Sequence, residues 1–333
     1  MTVTIHLSGE DLAETRFAFS PIWELGMSLY KPMRDPSKHA LHLPWVQEAR
    51  TAIEGHDLSL LFAVFPPPSV PGEIHTYIPD FLTPPPEGPF PQFEEELEHV
   101  ASTPPDEARR QFQKMVGQLS GVPLPELTMR MAEDPAPFLP TLVEQMRDYW
   151  KLTLEQHWPR IRALLETDVT YRARQMALGG AELLFADLHP MVEWHDGTLI
   201  LKKNYEIVLD PGGRGIVLIP AVFDWPGIAM MESEQPTISY SPRGIATLWD
   251  DEPPERAGAM DELIGGTRAD ILRVLEVPMT TSELAHRLHL TPAAVSQQLG
   301  VLRRAGVVDA RRQGREVFSE LTAEGRRLLE LLG

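Results

Sequence analysis

The sequence contains no cysteine. Disulfides, thiolate metal sites and cysteine nucleophiles are thereby excluded, and a reducing, cytoplasmic setting is the simplest expectation. Long apolar runs are missing as well. No stretch of about 18 apolar residues occurs, which argues against a membrane-spanning helix. Residues 1–10 also lack the basic and apolar regions of a secretory leader. Basic charge is scarce: 30 lysines and arginines stand against 48 acidic residues, a net charge of −18. Proline, in contrast, is abundant at 32 of 333 residues, about twice its usual share, and predicts long loops and interrupted elements. A hydrophobic share of 43% and a charged share of 23% suit a soluble globular protein, and the length suits two or three domains.

The acidity is unevenly placed. Residues 258–333 hold ten arginines and ten acidic residues, so the first 257 residues, with 20 basic and 38 acidic groups, carry the whole −18. Within the neutral part, Arg303, Arg304, Arg311, Arg312 and Arg315 cluster around one nearby acid, Asp309. A charged partner responds to the local field, because screening limits reach to about 8–10 Å. An acidic body beside a basic cluster would repel nucleic acid everywhere except at that cluster.

Along the N-terminal part, Val3, Ile5 and Leu7 alternate as an edge strand does. Ser8, Glu10 and Asp11 resemble a helix start, and Pro21 marks a break or first turn. Residues 45–65 read as helical or mixed. The prolines at 66–68 and 84–86 exclude helix and bracket an irregular, aromatic-rich connection. Residues 92–119 and 138–187 read as long helices by their three-and-four spacing, with Gly179 and Gly180 as an interruption. The period then changes to two, which predicts strands at 191–195, 198–203, 205–209 and 215–220, the first pair a hairpin around Asp196 and Gly197. The rest, to about residue 251, reads as less regular. The acidic, proline-bearing stretch 250–255 is the expected boundary.

Beyond it, residues 268–277 predict a helix with Ile271, Leu272 and Leu275 inward. Thr280 and Glu283 have capping-box spacing and start a second helix. Thr291 is the expected N-cap of a third helix, with Pro292 at its first position and Gly306 at its end. Val295, Leu299 and Leu302 share one face of this helix. Ala293, Gln297, Gly300 and Arg304 fall on the other, flanked by Ser296. A helix that enters a major groove about 12 Å wide needs such a division, with small and amide-bearing residues outward. Residues 307–312 and 315–321 then read as strands joined at Gln313 and Gly314, with arginines flanking the turn as a phosphate-tracking wing requires. A final apolar-faced helix, 323–332, follows and is of a type that often pairs across a dimer.

The stretch TSELAHRLHLTPAAVSQQLGVLRRAGVV at 281–308, followed by RRQGR at 311–315, resembles the ArsR/SmtB-type winged helix-turn-helix repressors. It carries their Ser-x-x-Leu-x-x-Leu-Arg-x-Ala-Gly pattern from Ser296 to Gly306. The resemblance covers about 70 residues, by the usual size of such a motif, and the whole chain is similar to larger members with a long N-terminal domain. It implies a homodimer on a roughly palindromic operator in double-stranded DNA. The metal-sensing members place paired cysteines where this chain has Thr280 and Ser282, so thiolate sensing is absent.

The expected fold is thus α+β. Residues 1–252 form a mixed, mostly helical domain with a small β-sheet for dimerisation or an unidentified small-molecule effector, and residues 258–333 form the winged helix-turn-helix. The expected DNA contacts are Thr291, Ala293, Ser296, Gln297 and Gln298, then Arg303 and Arg304 at the helix end, and Arg311, Arg312 and Arg315 on the wing. No catalytic residue, metal, cofactor or membrane partner is expected. His286 with His289, and His189 with His195, are spaced as metal ligands can be, but read as surface or hairpin residues. The glycine-rich 212–215 joins strands and reads as a turn, since a phosphate cradle sits between strand and helix. The competing reading, an enzyme with a regulatory winged helix, finds no nucleophile elbow, phosphate loop or metal triad in residues 1–257.

Overall fold

A computed structural model describes residues 1–65, 77–119, 124–249, 260, 263–275, 278–288, 290–313 and 316–332. The chain divides into two compact units, Met1–Trp249 and Asp250–Gly333. The expected boundary stretch 250–255 and the prolines at 66–68 lie outside the described residues.

The first unit opens with β1 (Thr2–His6), α1 (Gly9–Glu14), β2 (Arg16–Phe17) and α2 (Pro21–Ser28). Ser20 caps α2 by accepting from the Trp23 N–H, with Pro21 in the first turn where its missing donor costs nothing. A π-helical turn, Leu29–Met33, continues from α2. Seven helices follow: α3 (Leu43–Ala52), α4 (Ser59–Val64), α5 (Phe93–Ala101), α6 (Pro105–Gln118), α7 (Glu126–Glu133), α8 (Leu139–Thr153) and α9 (Trp158–Ala186). Two expected long helices are each divided. Proline explains both cuts: Pro104 and Pro105 separate α5 from α6, and a proline in the first turn of α9 forces a new start after α8. Gly179 and Gly180 leave helical dihedrals inside α9, as their sequence suggested. Among the described residues no helix is long and apolar enough to cross a membrane.

The strands β3 (Val192–His195), β4 (Thr198–Lys202), β5 (Ile207–Leu209), β6 (Val217–Pro220), β7 (Ile228–Met231) and β8 (Thr237–Tyr240) complete the unit. The architecture is α+β. One sheet has the order β3-β4-β1-β5, the other β2-β6-β8-β7. β3 and β4 form the expected hairpin, with Asp196 and Gly197 at φ 45° and 81° in its turn. The expectation of an edge position for β1 is wrong. It lies between β4, antiparallel, and β5, parallel, with Val3 and Ile5 fully buried. Both partners come nearly the whole unit later in the chain, beyond the reach of local alternation. β7 and β8 fall in the stretch that read as irregular. All four residues of β8 are buried, which removes the period-two signal that marks a half-exposed strand.

Buried carboxyl groups close the joints between these layers. Asp11 accepts from the Gly213 N–H at 2.7 Å and the Gly215 N–H at 3.1 Å, so the glycine-rich loop is a turn wrapped on the chain's own acid. Glu24 accepts from Val222 at 2.7 Å and Phe223 at 3.2 Å, just past the end of β6. Asp224 beside it receives the Trp23 indole N–H at 3.2 Å and pairs with Lys31. Glu96 accepts from the Ile22 N–H at 2.9 Å, and Asp168 from the Tyr240 hydroxyl at 2.7 Å and the Arg243 N–H at 3.0 Å.

The second unit contains α10 (Gly266–Val274), β9 (Met279–Thr280), α11 (Thr281–Arg287), α12 (Pro292–Arg304), β10 (Val308–Gln313), β11 (Glu316–Leu321) and α13 (Ala323–Leu332). Its three-stranded sheet has the order β10-β11-β9. Ile271, Leu272, Leu284, Val295, Leu299 and Leu302 pack into one core with Val308 and Leu321.

Burial pushes the Glu24 carboxyl up to about 8 and that of Glu96 to about 7. The unfolded chain releases the Glu24 proton near 4.5, so its contribution is complete below that value and is lost as pH rises toward 8. Each pH unit in this window removes up to about 1.4 kcal/mol per group. His42, held near 3 by burial, acts in the opposite direction, but only below 6.5. The melting temperature is therefore expected to fall between pH 6.5 and 8, and Glu24→Gln should flatten that fall. A wild-type melting temperature constant across the window, followed by circular dichroism, contradicts this account.

Candidate nucleic-acid interface

Two caps set the geometry of the helix-turn-helix. Thr280 donates its N–H to the Glu283 carboxylate at 2.7 Å, and the Glu283 N–H returns to the Thr280 hydroxyl at 3.3 Å. These bonds, from the backbone first and then the hydroxyl, hold Glu283 below the usual carboxylate range. Thr280 also pairs with Phe318 across β9 and β11, so one residue joins the start of α11 to the wing. At the next helix Thr291 accepts from the Ala294 N–H at 3.2 Å, with Pro292 in the first turn. α12 ends at Arg304. Gly306 follows at φ 74°, a left-handed conformation that a side chain disfavours and that turns the chain toward β10.

The two faces of α12 are separated as the spacing predicts. Val295, Leu299 and Leu302 are buried, while Ala293, Ser296, Gln297 and Arg304 are exposed, as is the cap Thr291. The Arg304 guanidinium lies back along this outer face, 3.6 Å from where a Gly300 Cβ would stand. Gln298 differs from its neighbour: it is half-buried, because one residue turns the helix by about 100° toward the core side. Arg303 is exposed, yet its Nη2 donates to the Ser319 hydroxyl at 2.9 Å, and Ser319 is fully buried on β11. Arg303 therefore braces α12 against the wing hairpin. Sequence spacing holds no signal for this pairing, since Ser319 lies in another element.

β10 and β11 are antiparallel, with Arg311 opposite Phe318, Arg312 opposite Val317 and Gln313 opposite Glu316. Neighbouring strand residues point to opposite faces. Arg312 therefore shares a face with Val308 and Ala310, and Arg311 shares the other with Asp309. Glu320 of β11, opposite Asp309, stands on that second face too, so Asp309 is not the lone acid beside the arginines. Gln313 is a strand residue, not part of the turn as expected. Arg315 and Gly314 lie outside the described residues, as do His289 and the His286 side chain. In α13 Gly325 sits where a Cβ would collide with the Val307 carbonyl, and Leu331 is 68% exposed. In the first unit both ring nitrogens of His189 are engaged, by the Met191 N–H and the Pro226 carbonyl. Among the described residues no group of three histidines and acids is placed to hold a metal.

A family described as a helix-turn-helix domain matches residues 264–311. The biofilm growth-associated repressor of Agrobacterium fabrum is 43% identical over 54 residues, 16% of this chain and 46% of that protein. The chain thus spans less than half the length of this curated relative. Reduced HlyU from Vibrio cholerae is 33% identical, with 23% of this chain and 85% of that one covered and a TM-score of 0.20. A second HlyU structure is 32% identical, with 25% and 92% covered and a TM-score of 0.20. Residues 264–311 thus lie in a helix-turn-helix domain with capped helices, an exposed outer helix face and a two-stranded wing, the make-up of a winged helix-turn-helix regulator.

Proposed function

We propose that the protein is a cytoplasmic, homodimeric transcriptional repressor that binds a roughly palindromic operator in double-stranded DNA. One observation carries this reading: α12 buries Val295, Leu299 and Leu302 and leaves Ala293, Ser296, Gln297 and Arg304 exposed on one outward face. A face with that chemistry fits the major groove, where serine and glutamine can read base edges and small residues permit close approach. Thr291 at the helix start, and Arg304 and Arg312 further along, are suited to phosphates, which position the protein without specifying sequence. Arg303 contributes by holding the wing, and Gln298 by packing at the flank. Arg311 and Arg315 complete the proposed wing contacts. The repressor role is supported by the name of the Agrobacterium relative. The first unit, outside the matched stretch, is assigned to effector binding, and any ligand there works by binding the DNA-competent and incompetent forms unequally.

Fluorescence anisotropy with a duplex from the region upstream of the protein's own coding sequence tests the contacts. Gln297→Ala should lose about 1–3 kcal/mol of preference over a scrambled duplex and keep the salt dependence. Arg312→Ala should weaken binding to both duplexes alike and reduce the salt slope by about one. Retention of full affinity and slope by both variants rejects the interface.

Dimerisation is assigned to the exposed edge of α13. Sedimentation velocity should find a dimer for the wild type and a monomer for Leu331→Asp, with unchanged circular dichroism. A variant that remains dimeric places the contact elsewhere.

A further inference from the structure

Where parallel strands end at one sheet edge, the loops that leave them converge, and open α/β sheets bind ligands at such edges. β6 and β8 run parallel and end at Pro220 and Tyr240. The turn 224–228 that leaves β6 is gripped at alternate carbonyls: Lys31 donates to Asp224 at 3.0 Å, His189 approaches Pro226 at 3.0 Å, and Lys203 donates to Ile228 at 2.7 Å. The DNA-binding reading gives none of these groups a task.

The charge balance here is uneven. Lys31 and Lys203 both act on the single carboxylate of Asp224. Each ammonium has three donors; Lys31 spends two on Asp224 and Lys203 one on the Ile228 carbonyl. Glu24 does not restore the balance at neutral pH, since burial keeps it protonated up to about 8. Burial, with Lys31 nearby, pulls Lys203 down to about 8, against the pull of Asp224. One net positive charge is left on a rim that solvent reaches, as the Lys31 side chain is 15% exposed.

Beside this charge stands an aromatic wall. His42, fully buried, has its ring centroid 5.0 Å from Phe223, 6.1 Å from Trp225 and 5.9 Å from Trp249. Its Nδ1 accepts from the Trp249 indole N–H at 2.9 Å, which places the imidazole proton on Nε2. That Nε2 faces the Val222 carbonyl without reaching hydrogen-bond geometry. Trp225 and Trp249 are half-buried. Lys31 itself belongs to the π-helical turn Leu29–Met33, a rare helix form that recurs at functional sites.

We propose that the first unit binds a small aromatic carboxylate at the rim where the π-helical turn meets the turn 224–228, with Lys31 and Lys203 receiving the carboxylate and the half-buried Trp225 and Trp249 facing the ring, backed by His42. A net single charge suits a monoanion, and the wall suits a flat apolar body. The inference deepens the effector role given above to this unit, and it rests on that reading only for the link to DNA.

The test is titration of the full chain, free of DNA, at pH 7 with benzoate, phenylacetate and indole-3-acetate, followed by calorimetry. Benzamide is the uncharged control and inorganic phosphate the control without a ring. Saturable binding of at least one carboxylate is expected, at least tenfold tighter than either control. Lys203→Met and Trp225→Leu, both at half-buried positions outside the Lys31–Asp224 pair, should each weaken it tenfold or more with circular dichroism unchanged. No saturable binding of any of the three at millimolar concentration overturns the proposal, as does binding that neither variant alters. The latter result would make the lysines a structural clasp on the turn. DNA binding by the same preparation is measured separately, so a protein that binds its operator but no carboxylate rejects this site alone.

Discussion

Five acidic side chains are buried among the described residues: Asp11, Glu24, Glu96, Asp168 and Asp224. Each would be costly to bury without partners, and each is placed where a loop must be joined to a layer from another part of the chain. Asp11 gathers the 212–215 loop, Glu24 the segment after β6, Glu96 the start of α2, and Asp168 the segment after β8. These connections supply what the short strands do not. β2 has two residues and β6, β7 and β8 have four each, so this mixed sheet has little ladder of its own. The layers are held by backbone donors seated on buried carboxyl groups. The acidity of this unit is therefore partly internal.

The same economy of long-range contacts positions the winged helix. α12 is oriented by its buried aliphatic face, but its relation to the hairpin rests on Arg303 and Ser319, and the start of α11 is joined to the hairpin through Thr280. Helix and wing must keep a fixed separation to meet groove and backbone together. A brace between them serves that need better than one more phosphate contact. The small residues Ala293 and Gly300 keep the outer face shallow, and Arg304 can lie along it without obstruction.

The two units differ in what their chemistry requires. The second needs an exposed polar face and a near-neutral surface with local arginines, and has them. The first holds buried ionisable groups beside aromatic rings at a sheet edge, an arrangement suited to selecting a small molecule rather than a polymer.

The winged helix was legible in the sequence because its information is local. The Thr280–Glu283 and Thr291–Pro292 caps, the Val295, Leu299, Leu302 spacing and the end at Gly306 all lie within one or two helical turns. The β3–β4 hairpin was legible for the same reason, through Asp196 and Gly197. Three features depended on residues far apart in the chain. The interior place of β1 needed β4 and β5, the fully buried β8 carried no alternation to read, and the place of Glu320 opposite Asp309 followed from the register of β10 with β11. The bond from Arg303 to Ser319 was not legible, because the charge of Arg303 is visible in the sequence and its partner in the hairpin is not. By itself the sequence determined the local helices, caps and turns, and the helix-turn-helix domain. Tertiary structure alone decided which carboxylates are buried, which arginine is a brace and where Lys31, Lys203 and His42 meet, because burial and pairing are set by contacts that no local spacing encodes.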